Sequence, residues 1–280
     1  MKFGVALGGM HPSMFVEAAE AAEQLGFESL WLPEHLVLPV EMAGSPFEGS
    51  AHPPIPPSTP VFDSLQYLAF LAARTSRVRL GTHVYNLALR HPFVAARAVQ
   101  TLDVVSGGRA ELGVGAGWLR AEWEAAGLDF ASRGARLDEA LDVCTRLWTQ
   151  ERVEHHGRFF EFPEVMFEPK PVQRPRPPVL VGGESPAALR RAARYDGWIG
   201  LNHTPRSVVD KVRVIEEHLD RHGRNETGFS MTVGATLGDS ADADLSGFEA
   251  SGVDRLIVSP WNRTREVPAA LEAFARRFIG

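Results

Sequence analysis

The stretch FGVALGGMHPSMFVEAAEAAEQLGFESLWL, Phe3 to Leu32, decides the fold. From Phe3 to Leu7 apolar side chains alternate with small ones, the pattern of a short strand covered on both sides. Between Pro12 and Gly26 the apolar positions Phe15, Ala18, Ala19, Ala22 and Leu25 recur at helical spacing, and the glycine supplies a stop. Phe27 to Leu32 is again a short apolar run. A strand, an amphipathic helix and a strand in immediate succession form a parallel crossover unit.

The alternation continues. The patterns predict strands over Val78 to Tyr85, Arg109 to Gly115, Pro178 to Val181, Trp198 to Leu201, Phe229 to Ala235 and Asp254 to Ser259. Helices are predicted over Phe62 to Arg74, Phe93 to Val105, Arg136 to Trp148, Pro186 to Arg194, Ser207 to Arg221 and Val267 to Phe278, with 239–252 only weakly helical. Eight strands so spaced predict an α/β fold, a single (β/α)8 TIM-like barrel over residues 1–280, in preference to an open doubly wound sheet. Two segments interrupt the alternation. Leu36 to Pro60 is rich in Pro and Gly and reads as a long loop placed to cover a site. Residues 151–178 read as a short irregular insertion before the fifth strand, packed over a barrel end or lying on the surface.

Composition narrows the function. The 280 residues are 44% hydrophobic, and 29 basic against 35 acidic side chains leave a formal charge of -6, with no basic surplus for nucleic acid. No apolar run is long enough to cross a membrane, the opening MKFGVAL is not a signal peptide, and the lone Cys144 forms no intramolecular disulfide, so a cytoplasmic protein is expected. Neither the adjacent His155 and His156 nor the His218 and His222 pair has metal-site patterning, and no metal is expected. Nucleophile-elbow and Walker motifs are missing, which leaves hydrolysis weakly supported.

In a barrel of this kind chemistry sits at the carboxyl ends of the strands. Glu34 and His35 of LWLPEH fall there, and their spacing admits two readings: a catalytic pair, or a structural pair holding the long loop. Tyr85 and Asn86 fall at the rim of the third strand. Gly115, Ala116, Gly117 and Trp118 follow the fourth, where glycines permit close backbone approach and the indole offers a flat wall, or form a tight turn. After the fifth strand, Gly182 and Gly183 turn the chain and Ser185 caps a helix whose first residue is Pro186. That arrangement serves as a plain turn or as a seat for phosphate, with Glu184 repelling the anion if its carboxylate turns inward.

Taken in order, LWLPEH (Leu30 to His35), LRHP (Leu89 to Pro92), LDVVSGGR (Leu102 to Arg109), GVGAGW (Gly113 to Trp118), HGRFF (His156 to Phe160), PKP (Pro169 to Pro171), PPVLVGG (Pro177 to Gly183) and DGW (Asp196 to Trp198) resemble the bacterial luciferase-like superfamily. The likeness is strongest to its deazaflavin branch, the coenzyme F420-dependent oxidoreductases. It implies a TIM-like barrel binding coenzyme F420, or alternatively FMN, at the carboxyl ends of its strands, and a homodimer. By the same resemblance His35 transfers a proton or orients substrate and Glu34 positions it. Val84, Tyr85 and Asn86 lie at a backbone bulge behind the redox ring, where a non-proline cis peptide occurs. Gly115, Ala116, Gly117 and Trp118 wall the cofactor, and Gly182, Gly183, Glu184 and Ser185 bind its tail. Trp118 stands where some sugar-phosphate dehydrogenases of the superfamily carry a catalytic glutamate, which argues against their activity. The leading expectation is hydride transfer between the deazaflavin and a small organic substrate. The alternatives are a reduced-FMN monooxygenase and a noncatalytic ligand-binding barrel.

Overall fold

Chain order alternates β1 (Lys2–Ala6), α1 (Phe15–Gln24), β2 (Ser29–Leu32), α2 (Ser64–Ala72), β3 (Arg79–Thr82), α3 (Pro92–Val105) and β4 (Ala110–Val114), followed by α4 (Arg120–Ala125) and α5 (Arg133–Thr149). Next come β5 (Arg152–His156), β6 (Glu161–Met166), β7 (Val179–Gly182), α6 (Pro186–Ala192), β8 (Gly197–His203) and α7 (Pro205–Arg221). The chain ends in β9 (Ser230–Ala235), α8 (Ser246–Ala250), β10 (Arg255–Val258) and α9 (Val267–Phe278). The structure, a computed structural model, describes residues 1–47, 50, 52–224, 228–235, 237 and 245–280. Eight of the strands close into the predicted barrel in the order β1-β10-β9-β8-β7-β4-β3-β2, every pairing parallel.

Side-chain alternation sorts the strands into an outer layer packed on the helices and an inner layer facing the axis. The inner cluster is Trp31, Leu180, Ile199 and Ile257, separate from the main core. Trp31 fills so much of the axis that a Cβ on Gly4 or Gly81 would lie within 3 Å of its ring. Towards the amino end the interior is ionic. Arg255 donates to Glu111 at 2.7 Å and to Glu28 at 2.9 Å, and Arg79 donates to Glu111 as well. Burial alone would raise the Glu111 carboxyl, but the two guanidiniums hold it below the usual carboxylate range.

Several elements depart from the sequence expectation. β3 ends at Thr82 instead of Tyr85, and the bulge that the family resemblance implies follows it, with the non-proline cis peptide at His83–Val84. Thr82 and His83 are therefore not consecutive residues of a continuing strand. Tyr85 rejoins the sheet through one bridge to Val114. The insertion is not irregular throughout: β5 and β6 form an antiparallel hairpin, pinned to α5 by Glu139, which accepts the Phe159 and Phe160 amides. α4 was not anticipated, because six residues directly after a glycine-rich turn carry too little periodicity to read. Of the weakly helical 239–252 segment, Ser246–Ala250 is helix, and 239–244 lie outside the described residues. Among the described residues no helix is long and apolar enough to cross a membrane.

Replacing Arg255 would leave Glu28 and Glu111 without their main counter-charge inside the barrel. Arg255→Met is expected to lower stability by about 3–5 kcal/mol in urea unfolding. A loss under about 1 kcal/mol would show that the ionic floor is solvated rather than buried.

Candidate active site

At the carboxyl end the inner layer runs out of side chains. Gly115 follows β4 and Gly182 ends β7, and a Cβ on either would lie 2.7 Å from a methyl of Val84. The bulge after β3 thus sets half-buried Val84 across the barrel mouth, wedged on two bare stretches of backbone. Tyr85 is held by hydrogen bonds from its amide to the Gly113 carbonyl at 2.7 Å and from the Gly115 amide to its own carbonyl at 3.2 Å.

Glu34 and His35 diverge. Glu34 is buried, accepts the Asn86 amide at 2.8 Å and pairs with Arg90, whose guanidinium lies 4.5 Å over the Tyr85 ring. The Asn86 side-chain amide returns a bond to the Glu34 carbonyl at 3.2 Å. Burial pushes the Glu34 carboxyl up, against the pull of Arg90 and the Asn86 amide; Arg90, depressed by its own burial, is raised overall by Glu34. The two directions pull apart on charge. Because a guanidinium does not deprotonate in a protein, the pair is ionic and Glu34 is the carboxylate. Its contacts tie the end of β2 to the bulge, joining Glu34, Tyr85 and Asn86 in one cluster.

His35 turns the other way. Its Nδ1 lies 3.0 Å from an oxygen of Glu122 on α4, and its ring meets Trp118 edge-on at 5.8 Å. Glu122 escaped sequence reasoning because nothing in RAEWEA marks an acid for burial; in a short helix it reads as a surface or first-turn residue. Ala116, Gly117 and Trp118 are half-buried along the wall beside this pair.

The loop after β7 resolves the matter of Glu184. Its carboxylate accepts the Leu201 amide at 3.0 Å and lies 3.3 Å from His203 Nε2, and Lys211 donates to its main-chain carbonyl. Burial would raise this carboxyl, yet His203, the Leu201 amide and Lys211 together hold it below the usual carboxylate range. The charge turned towards β8 is therefore compensated. Gly183 has φ +111°, which only glycine adopts without strain, and its carbonyl accepts the Trp198 indole N–H at 3.1 Å. Exposed Ser185 caps α6 by accepting the Ala188 amide, and its hydroxyl proton remains available.

His83 was not on the sequence-derived candidate set. Its residue is half-buried, but Nε2 is shut off from solvent and has no hydrogen-bond partner. Burial depresses its pKa from 6.5 to about 4 in spite of the Gly200 carbonyl and Glu184. Among the described residues no group of three or more His, Cys, Asp or Glu is placed to hold a metal.

A cavity of about 810 Å³ opens at the amino end of the barrel, lined in part by Met1, Glu111, Arg174, Arg176, Asp196 and Arg255. Much of its charged lining is already paired: Arg255 with Glu111, Arg176 with Asp196, the Met1 ammonium with Glu249. The mouth at the other end, with bare backbone and an orphaned imidazole, is the better candidate.

A family model described as luciferase-like monooxygenase matches residues 2–246. An uncharacterised protein of Mycobacterium tuberculosis is 31% identical over 257 residues, covering 91% of this chain and 85% of its own length. The 4-hydroxyprotoasukamycin monooxygenase of Streptomyces nodosus subsp. asukaensis is 33% identical over 266 residues, covering 88% and 67%. An F420-dependent glucose-6-phosphate dehydrogenase of Microbacterium testaceum is 29% identical over 297 residues, covering 96% and 80%. Among solved structures, the monooxygenase RslO1 from Streptomyces bottropensis superposes with a TM-score of 0.76 at 23% identity, covering 100% and 99%, a likeness of fold.

A histidine whose folded pKa lies below its unfolded value contributes stability that is complete above the unfolded value and is lost as pH falls towards the folded one. Between pH 6.5 and 4 the protein is expected to lose roughly 3 kcal/mol more stability than its His83→Gln variant, measured by denaturant unfolding. Parallel pH profiles would show that the imidazole is solvated.

Proposed function

The chain belongs to the luciferase-like monooxygenase family, and from that premise we propose that it is a reduced-FMN-dependent monooxygenase acting on a small organic substrate. The observation that counts against F420-dependent sugar-phosphate oxidation is Trp118. It stands edge-on to His35 in the turn where some sugar-phosphate-oxidising deazaflavin dehydrogenases carry a catalytic glutamate. A monooxygenase relative more than 30% identical points the same way. The less identical F420-dependent relative keeps hydride transfer as the second reading.

The residues present fit a planar ring with a phosphorylated tail. Val84, backed by Gly115 and Gly182, offers an apolar floor from which larger side chains are excluded, and half-buried Trp118 a side wall. Gly183 and Ser185 would hold the tail, with Glu184 neutralised by His203 and Lys211. When bound, reduced FMN supplies the electrons with which molecular oxygen is divided between substrate and water. The chain's share is to bind, to exclude water and to move a proton. Trp118 covers one flank of His35, the imidazole carries the proton, and the Glu34–Arg90 pair keeps the bulge and Val84 in register.

A second copy of the chain covers the outer face of α2 and α3. Phe70, Val94 and Val105 there are 52%, 59% and 56% exposed, and Phe62 and Val104 extend the apolar face.

Titration of the purified protein with FMN and with coenzyme F420 tests the cofactor. Stoichiometric FMN binding with oxygen-dependent turnover is expected, as is a drop of about 100-fold in turnover for His35→Gln with FMN affinity retained. Binding of F420 alone, with hydride transfer, would overturn the monooxygenase reading. In sedimentation velocity the double variant Val94→Glu, Val105→Glu is expected to be a folded monomer where the parent is a dimer; an unchanged dimer would move the interface elsewhere.

A further inference from the structure

We propose that Glu122 is a positioning residue that decides which nitrogen of His35 carries the proton and, with the same carboxylate, clamps the start of the 36–60 segment. This rests on the reading of His35 as the group that moves the proton. Glu122 is fully buried, and no lysine or arginine pairs with it among the described residues. Three donors from one short stretch take its place. One oxygen accepts the main-chain amides of Leu36 and Val37, and the other faces His35 Nδ1 at 3.0 Å.

The chemistry of these partners leaves one arrangement. An ionised carboxylate only accepts, so the nitrogen facing it must bear a proton, and the neutral imidazole then has its lone pair on Nε2. Nε2 has no partner among the described residues, and Trp118 closes one flank of the ring at 5.8 Å. Glu122 thus orients the ring and selects Nε2 as the basic nitrogen. The same oxygens hold the two residues after His35. Displacement of Leu36 and Val37 would strip Glu122 of its amide donors and loosen the ring at once. A purely structural account, in which an acid in the first turn favours the helix dipole, would be met by a solvent-facing side chain and does not explain full burial against a histidine.

Glu122→Gln separates the two roles. Its single carbonyl oxygen must face the fixed Leu36 and Val37 amides, so its NH2 group faces His35 and can only donate. The clamp survives while the tautomer reverses, with Nδ1 becoming the acceptor and Nε2 the protonated nitrogen. Two-bond ¹⁵N–¹H spectra of the full-length, cofactor-free chain labelled at histidine read this directly, His35 being identified by the signals missing from His35→Gln. The parent is expected to show Nδ1–H and Glu122→Gln to show Nε2–H. Hydrogen exchange at Leu36 and Val37 should stay slow in Glu122→Gln and become fast in Glu122→Ala. The same tautomer in the parent and Glu122→Gln, or equal exchange in Glu122→Gln and Glu122→Ala, would overturn the proposal. With FMN bound, turnover of Glu122→Gln should fall about 100-fold with FMN affinity unchanged. Reversal of the tautomer with full turnover would uphold Glu122 as the positioning residue and remove His35 from the proton transfer.

Discussion

An eight-stranded barrel has to be filled from within, and this chain fills it from one end only. Trp31 occupies the middle of the axis, so closely that Gly4 and Gly81 on its neighbouring strands cannot carry a Cβ. Below it the Arg79, Glu111, Arg255 and Glu28 network packs the axis with paired charge. Above it Val84 lies across Gly115, just after β4, and Gly182, at the end of β7, where no larger side chain fits. The bare backbone of the carboxyl rim is the ground on which the ligand site is proposed there.

Everything at that end is held by contacts between loops that follow different strands. Glu34 after β2 grips Asn86 and Arg90 after β3, and His35, its neighbour in sequence, is gripped by Glu122 of α4. Adjacent acid and base thus have separate duties: one fixes the bulge that carries Val84, and the other is left with a nitrogen free for chemistry. Further round, Glu184 is drawn towards β8 by Leu201 and His203, so an acid in the middle of the loop proposed to hold an anion does not present naked charge to it. The loops act as a collar, each fixed by a neighbour rather than by its own strand.

The barrel was legible because its strands are buried on both faces and its helices on one, which writes period and length directly into the chain. Several quoted motifs turn out to be scaffolding. Arg109 of LDVVSGGR donates to the carbonyls of Ala72, Thr75 and Val78, and Lys170 of PKP to those of Leu147, Gln150 and Phe167 near the end of α5. Asp196 of DGW accepts the Val179 amide, and Trp198 reaches the Gly183 carbonyl. What the sequence could not convey was pairing at a distance. Nothing local distinguishes Glu122 from the exposed Glu124, and only the fold brings it within reach of a histidine 87 positions earlier. The orphaned nitrogen of His83 is hidden likewise, since the strand pattern runs through it and the resemblance puts the bulge at Val84 to Asn86.

The most direct measurement is a crystal structure of the chain with FMN bound. The ring is predicted to lie against Val84 where Gly115 and Gly182 bare the backbone, with His35 Nε2 facing it and the phosphate at Gly183 and Ser185. FMN seated in the amino-end cavity beside Arg174 and Arg255, or a ring held away from Val84, would contradict it.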